Sequence, residues 1–299
     1  MPDTTDKPLV YLIDASVYVF RAWHSIPDRM RSPAGEPTNA VYGFARFLAD
    51  LLSREATAPV AVAFDESLTT SYRNEIYPEY KANRPPAPEA LKRQFAWCQS
   101  LCSALDLPWL AHPRFEADDI IGTWTVQARA AGFAAGIVTR DKDLAQLLED
   151  QDHLWDFAGD VRLDAAGVEA KMGVRPDQVA DFLALTGDAV DNIPGIPGVG
   201  PKAAVGLLQA FGSLDGIYAR LQEVPGLPLR GAKSLATKLV EHEELARLSR
   251  RLTGIPTDID LPALDFARRP PAAAAIADWA SPLGFGDGLR RALHGASRD

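Results

Sequence analysis

The chain has 299 residues, 47% of them hydrophobic, enough to bury a full core as one large domain or two modest ones. Forty acidic residues against 31 basic ones give a formal net charge of −9, which on its face argues against a nucleic-acid partner. Nine of those acids fall in the cluster described below, however, and setting them aside leaves acids and bases equal, so the distribution of charge has to decide.

The first ten residues are polar without an apolar leader, and no run of about 18 apolar residues follows, so a cytoplasmic protein with no membrane partner is expected. Leu9 to Ile13 is a short β-branched apolar run that stops abruptly at Asp14-Ala15-Ser16 and reads as a buried strand. Thr38 to Glu55 reads as a helix capped by Thr38, with apolar spacing through Val41, Phe44, Phe47, Leu48 and Leu51. Pro59 to Phe64 is a second strand-like run, and it ends at Asp65. Gly136 to Thr139 is a third, followed by Asp141-Lys142-Asp143 and a helical stretch from Leu144 to Leu148. Strands alternating with helices indicate a parallel α/β sheet, in which ligands bind at the carboxyl ends of the strands.

Between Asp65 and a long helix over Glu89 to Leu105 lies a segment of different character, covering about 66–94. It mixes Tyr72, Tyr77 and Tyr80 with Arg73, Lys81 and Arg84 and ends in prolines, the mixture expected of a cover that meets phosphates with its bases and nucleobases with its tyrosines. An ordinary solvated loop has the same composition; Arg21, just after the first strand, is a further candidate phosphate contact, with an ordinary surface arginine as the alternative. The two cysteines, Cys98 and Cys102, lie four apart in the Glu89 helix and suit a packed pair of thiols; no CxxC or Cys/His cluster suggests zinc.

The densest chemistry lies in Phe115-Glu116-Ala117-Asp118-Asp119, at the head of a helix-like run from Ile120 to Ala131. Acids in a first helical turn oppose the macrodipole, which accounts for one or two of them but not for three. On a 3.6-residue period Glu116 and Asp119 share a face and Asp118 does not, so a site using all three must straddle the helix end. Together with Asp14, Asp65, Asp141 and Asp143 they form a candidate divalent-metal pocket of hard oxygen donors.

Val174 to Leu185 reads as a helix that runs into Thr186-Gly187-Asp188-Ala189-Val190-Asp191-Asn192. A Gly/Pro-rich turn then opens into an amphipathic helix beginning near Lys202, the form of a helix–hairpin–helix. Gly198 and Gly200 allow close approach to a phosphate, the helix N-terminus supplies N–H donors, and Lys202 adds charge, a non-specific grip on a duplex backbone. Gly231 to Leu252 reads as one charged helix in which Lys233 and Lys238 extend that footprint. The stretch 256–299, with its apolar piece from Ala272 to Trp279, is expected to pack as helices against the body.

From about Leu9 to about Thr253 these blocks resemble the 5′ nuclease (flap endonuclease) superfamily, in particular the 5′-to-3′ exonuclease domain of bacterial DNA polymerase I and its stand-alone relatives. The blocks are Asp14-Ala15-Ser16 with Arg21, Gly35-Glu36-Pro37-Thr38, Val62-Ala63-Phe64-Asp65, Tyr80-Lys81-Ala82-Asn83-Arg84-Pro85-Pro86, Glu116-Ala117-Asp118-Asp119, Asp141-Lys142-Asp143, Gly187 to Gly195 and Gly198 to Lys202. The resemblance implies an α/β fold: a mostly parallel central sheet flanked by helices, PIN-like, with a helical helix–hairpin–helix subdomain. The implied division is a nuclease core over 1–185, a DNA-binding region over 186–255 and a C-terminal extension over 256–299.

It further implies one metal held by Asp14, Asp65, Glu116 and Asp118 and a second held by Asp118, Asp141, Asp143 and Asp191, with Asp119 and Asp188 acting directly or through water. The metals would be two Mg2+ or Mn2+. A K+ ion would be bound through the backbone carbonyls of Leu185, Thr186, Pro194, Ile196 and Val199. Lys81, Arg84 and Tyr80 would act on the substrate with Asp118 at the chemistry, and DNA with a 5′ flap, a nick, a branch or a 5′ end would be the partner of a monomeric, nucleoid-associated enzyme. Arg140 stands where many polymerase-linked members have glycine. No polymerase follows, so a stand-alone enzyme or an excised domain is expected, and the full set of acids favours an active one. Three rivals share parts of the pattern. A PIN-type ribonuclease lacks reason for the duplex-gripping hairpin, and a HAD-type phosphatase uses an Asp-x-Asp motif with its nucleophile after the first strand, where this chain has Asp14-Ala15-Ser16. A non-catalytic binder of branched DNA would have no metal-dependent cleavage to lose.

Overall fold

The computed structural model describes residues 6–66 and 70–295. Its centre is a six-stranded sheet in the order β3-β2-β1-β4-β5-β6. The strands are β1 (Leu9–Asp14), β2 (Val60–Asp65), β3 (Trp109–His112), β4 (Ala134–Val138), β5 (His153–Asp156) and β6 (Val161–Leu163). All pairings are parallel except β5 with β6. The inner strands are buried on both faces, as a parallel sheet covered by helices requires. Their side chains divide with period two: Val10 and Leu12 of β1 join one core, and Tyr11 and Ile13 the other.

On the Tyr11 face pack α1 (Ala15–Ser25), α2 (Asn39–Arg54) and, beyond the short α3 (Tyr72–Ile76), α4 (Glu89–Ala104). The apolar stripe of α2, through Val41, Phe44, Leu48, Leu51 and Leu52, is fully buried here. Cys98 and Cys102 lie in α4 as buried free thiols, matching the expected packed pair. On the Leu12 face lies α5 (Ala117–Ala130). Beyond it come α6 (Ala165–Met172), α7 (Val179–Thr186), α8 (Pro201–Phe211), α9 (Leu214–Ala219), α10 (Ala232–Glu241) and α11 (Glu243–Thr253). The chain then crosses α5 without helix or strand over 254–272 and ends in α12 (Ala273–Ala280) and α13 (Asp287–Gly295). Ile276, Leu289 and Leu293 of these last helices and Phe285 between them enter the Tyr11-face core, so the tail straps the two faces together.

Several expectations change. Three strands were readable; β3, β5 and β6 were not, because runs of four, four and three residues at the sheet's sides carry little periodicity. The single helix over 231–252 is two helices broken at His242; no glycine or proline marks the break. The helical stretch after Asp143 is a 3-10 helix, Asp143–Leu147, and Val174 to Leu185 begins with a separate 3-10 turn, Pro176–Gln178, before α7. The first half of the tail is extended, held to α5 by the Ile259 N–H on Thr123 Oγ1 (3.3 Å) and the Leu264 N–H on Gln127 Oε1 (2.8 Å).

Gly122 of α5 lies directly under the strap. A Cβ there would stand 2.6 Å from the Pro256 carbonyl oxygen and 2.7 Å from Ile255 Cγ2. Alanine in an unobstructed helix position would stabilise by about 1 kcal/mol. Under the strap, Gly122→Ala is expected instead to destabilise by about 1–3 kcal/mol, as overpacking does. The sign of the change in a urea-unfolding midpoint decides between them.

Candidate active site

The carboxyl ends of the parallel strands gather the acids. Asp14 closes β1 and Asp65 closes β2, while β4 ends just before Thr139 and Asp141. The β1–β4 register pairs Ile13 with Val138 and so sets Asp14 beside Thr139, whose hydroxyl donates to Asp14 Oδ2 at 2.9 Å. The same Thr139 oxygen accepts the Asp141 N–H (3.0 Å), and Asp141 Oδ1 accepts the Asp143 N–H (2.9 Å), folding the Asp-Lys-Asp turn back over the strand end. Asp65 Oδ1 accepts the N–H of Ala117, the first residue of α5, at 2.8 Å. This contact points α5, and Asp118 with it, at the strand ends, and uses one of the N–H groups a helix start leaves open.

These carboxylates repel one another. Burial first, and then the charges of Asp65 and Asp141, push Asp14 up to about 7. Asp118 is raised well above its ordinary value by burial and by Asp141, Asp14 and Asp65. Asp143 is raised to about 8 by burial, Asp141 and Asp188, and its Oδ1 is buried without a hydrogen-bond partner. Among the described residues no three acidic, histidine or cysteine side chains converge tightly enough to form a finished cage around one ion. What the structure has is an all-oxygen set that is short of positive charge, with one orphaned oxygen. That donor chemistry fits a hard divalent cation.

Glu116 and Asp191 differ, because the cover supplies them with cations. Glu116 Oε2 lies 3.0 Å from Lys81 Nζ and 3.3 Å from Arg73 Nη1, and accepts the Tyr80 hydroxyl at 3.0 Å. Burial would raise its carboxyl, but Lys81 and Arg73 outweigh burial and hold it below the ordinary range. Asp191 pairs with Arg84 and with Lys81 (3.7 Å) and accepts the Tyr80 hydroxyl at 3.2 Å. Asp188 pairs with Lys142 at 3.3 Å and accepts the Val190 N–H at 2.7 Å, shaping its own loop.

Two expectations about the cover are corrected. Tyr80 is 3% exposed with its hydroxyl on carboxylates, so it is not presented as a stacking surface for a nucleobase. Arg73, grouped with the phosphate-facing bases, is 3% exposed and turned inward onto Asp119 through two bonds of 2.9 and 2.7 Å. Asp119 also accepts the Glu116 N–H at 2.9 Å, so its oxygens serve the helix start and Arg73. Sequence reasoning missed Thr139, Lys142 and the inward role of Arg73. The position of Thr139 directly after an apolar run, like that of Asp14, was the available signal.

The hairpin continues from the loop that carries Asp188 and Asp191. Asp188 and Ile193 exchange both backbone hydrogen bonds (2.9 and 2.8 Å), closing the loop that carries Asp191. Gly187 and Gly195, at φ +75° and +60°, let two backbone segments meet where a Cβ on Gly195 would lie 2.2 Å from the Gly187 nitrogen. Of the carbonyls considered for K+, that of Leu185 accepts from Ile196 (2.9 Å) and that of Ile196 accepts from Val199 (3.0 Å); Thr186 closes α7, and Pro194 and Val199 lie in the loop before α8. Gly200 caps α8 with open space beside it, and Lys202 is exposed in the first turn. Lys238 of α10 donates to the Gly198 carbonyl at 3.3 Å, which ties α10 to the hairpin. Arg21 is exposed on α1, about two turns from Asp14.

Residues 9–173 match the 5′-3′ exonuclease N-terminal resolvase-like domain and residues 174–274 match the 5′-3′ exonuclease C-terminal SAM fold. A 5′-3′ exonuclease of Buchnera aphidicola is 36% identical over 84% of this chain and 82% of its own length. DNA polymerase I of Pseudomonas aeruginosa is 46% identical over 86% of this chain, which spans only 28% of that protein. T5 5′-exonuclease shares the fold, with a TM-score of 0.64 at 22% identity over 96% of this chain and 98% of its own. The catalytic core of Rad2 does too, with a TM-score of 0.64 at 18% identity over 96% and 91%. The chain belongs to the 5′-3′ exonuclease family.

The raised carboxyls have a consequence that can be measured. Because their folded values lie above the ordinary value of about 4, the folded pocket keeps protons that an unfolded chain has lost, and its contribution to stability falls as pH rises toward about 8. A divalent ion has to displace those protons. The gain in thermal midpoint on replacing EDTA by millimolar Mg2+ is therefore expected to be larger at about pH 8 than at about pH 6. Equal gains would place the bound ion elsewhere.

Proposed function

We propose that the chain is a divalent-metal-dependent, structure-selective 5′ nuclease that hydrolyses DNA phosphodiester bonds near 5′ ends and at 5′ flaps. The observation that carries this is the meeting of carboxylates from three strand ends and the α5 start with Lys81 and Arg84 of the cover. Its family membership and the names of its relatives agree: T5 5′-exonuclease is described with divalent metal ions (zinc) bound, and the Rad2 core in complex with DNA substrate.

Asp14, Asp65, Glu116 and Asp118 would hold one Mg2+ or Mn2+, and Asp118, Asp141, Asp143 and Asp191 the other, with Asp119 and Asp188 supporting them. Two such ions supply an activated water and a clamp on the attacking and leaving oxygens. The protein's own groups do the rest. Lys81 and Arg84 stand at the carboxylates, so a phosphate arriving there meets both cations, and their charge offsets the charge that develops on its oxygens. Tyr80 orients Glu116 and Asp191 from beneath. No histidine is required as a base. Gly198, Gly200 and Lys202, with the α8 N–H groups, grip a duplex phosphate away from the pocket, and a K+ ion at the Leu185, Thr186, Pro194, Ile196 and Val199 carbonyls would stiffen that turn. Cutting is then selected by the distance between grip and pocket, with no sequence read.

A 5′-labelled flap duplex, incubated with Mg2+, with EDTA and with the Asp118→Ala protein, tests this. Short labelled products near the junction are expected only with metal and native Asp118, the variant losing at least about 100-fold in rate. Binding without cleavage in either Mg2+ or Mn2+ would leave the non-catalytic branched-DNA binder instead.

A further inference from the structure

Arg73 is a buried guanidinium of the cover, 3% exposed, and each of its five N–H groups has a partner. Nε donates to the Leu252 carbonyl (2.9 Å). Nη1 donates to Glu116 Oε2 (3.3 Å) and Asp119 Oδ2 (2.9 Å), and Nη2 to Asp119 Oδ1 (2.7 Å) and the Gly254 carbonyl (3.1 Å). The fork with Asp119 is bidentate, the geometry that fixes direction as well as charge. These five bonds join three separate parts of the chain: α3 of the cover, the start of α5, and the end of α11 where the strap begins. The end of α11 is itself fastened to the hairpin, because Ser249 Oγ accepts the Gly195 N–H at 3.1 Å in a buried contact.

We infer that Arg73 is a positioning residue, one that sets the Glu116 carboxylate for the pocket and links it to the hairpin through the end of α11. This rests on the nuclease reading above. Charge compensation alone would need only a cation beside Asp119. The observed arrangement uses the planar fork on Asp119, a third bond to Glu116, and two carbonyls that a lysine ammonium with its three N–H groups on a single atom cannot reach together. Glu116 shares the same oxygen, Oε2, among Arg73, Tyr80 and Lys81, so a shift of the guanidinium moves the carboxylate that the pocket presents.

The test is Arg73→Lys in the full chain, read three ways: thermal midpoint, Mn2+ affinity without DNA, and kcat and KM on a flap duplex. A folded variant is expected to lose about 10-fold or more in kcat and in Mn2+ affinity with KM little changed, the scale found when a group orienting a metal ligand is removed. Native kcat and native Mn2+ affinity in a folded Arg73→Lys protein would overturn the inference, since a bare charge would then suffice. Should the variant not fold, the native protein supplies the answer by NMR. The buried Arg73 Nε–H and Nη–H signals are expected to be protected from exchange and to shift when Mg2+ is added; signals indifferent to Mg2+ would overturn the inference equally. A native protein that binds Mn2+ but cuts no DNA would instead defeat the nuclease reading, and the Mn2+ affinity and NMR readings would still decide the role of Arg73.

Discussion

Everything around the site follows from the repulsion among carboxylates that the sheet forces together. Parallel strands β1, β2 and β4 end on one side of the molecule, and each delivers acids there: Asp14, Asp65, and Asp141 with Asp143. The start of α5 adds Glu116, Asp118 and Asp119. Grouped negative charge in a low-dielectric place is costly unless it is protonated, paired or bound to cations. The structure uses the first two. Asp14, Asp118 and Asp143 have raised proton affinity, and Glu116 and Asp191 are paired with Lys81 and Arg84, while Asp119, paired with Arg73, is still raised because burial outweighs the pair. The protein thus maintains, at a cost in stability, a crowded carboxylate group whose charge the proposed divalent cations would offset.

The cover is part of that balance and not an independent flap. Its turn is stitched to the loop carrying Asp188 and Asp191 by the Lys81 N–H on the Asp191 carbonyl (3.0 Å), Asn83 Nδ2 on the Ala189 carbonyl (2.9 Å) and Asn192 Nδ2 on the Glu79 carbonyl (2.6 Å). Lys81 and Asn192 both take left-handed backbone, φ +56° and +58°, at the places where these segments meet. Strain of this kind persists only where surrounding bonds over-determine it and is concentrated at functional sites. The bases that would face a scissile phosphate and the acid that would hold a cation are therefore carried on one braced unit, which the hairpin joins through Ile193.

Much of this was legible in the residues because the relevant signals are abrupt. Apolar β-branched runs that stop at Asp14 and Asp65 mark buried strands and their acidic ends together, and three acids at one helix start exceed what a helix dipole calls for. The glycines of the hairpin were legible for a related reason, since only glycine takes positive φ at little cost where backbones touch. The directions of the cover's side chains were not legible. A five-residue helix, Tyr72–Ile76, is too short to show which face turns inward, so the sequence did not show that Arg73 turns onto Asp119 and Glu116. The short strands β3, β5 and β6 and the break at His242 were hidden because tertiary pairing, rather than local pattern, defines them.

Crystals grown with millimolar Mn2+, measured at the manganese absorption edge, test the central claim that this carboxylate group is a cation site. Two anomalous peaks are predicted at the strand ends, about 4 Å apart as in other two-metal sites. One should lie among Asp14, Asp65, Glu116 and Asp118, and the other among Asp118, Asp141, Asp143 and Asp191. Peaks confined to other acidic surfaces, with the strand ends bare and the pairs of Glu116 with Lys81 and Asp191 with Arg84 unchanged, would contradict it.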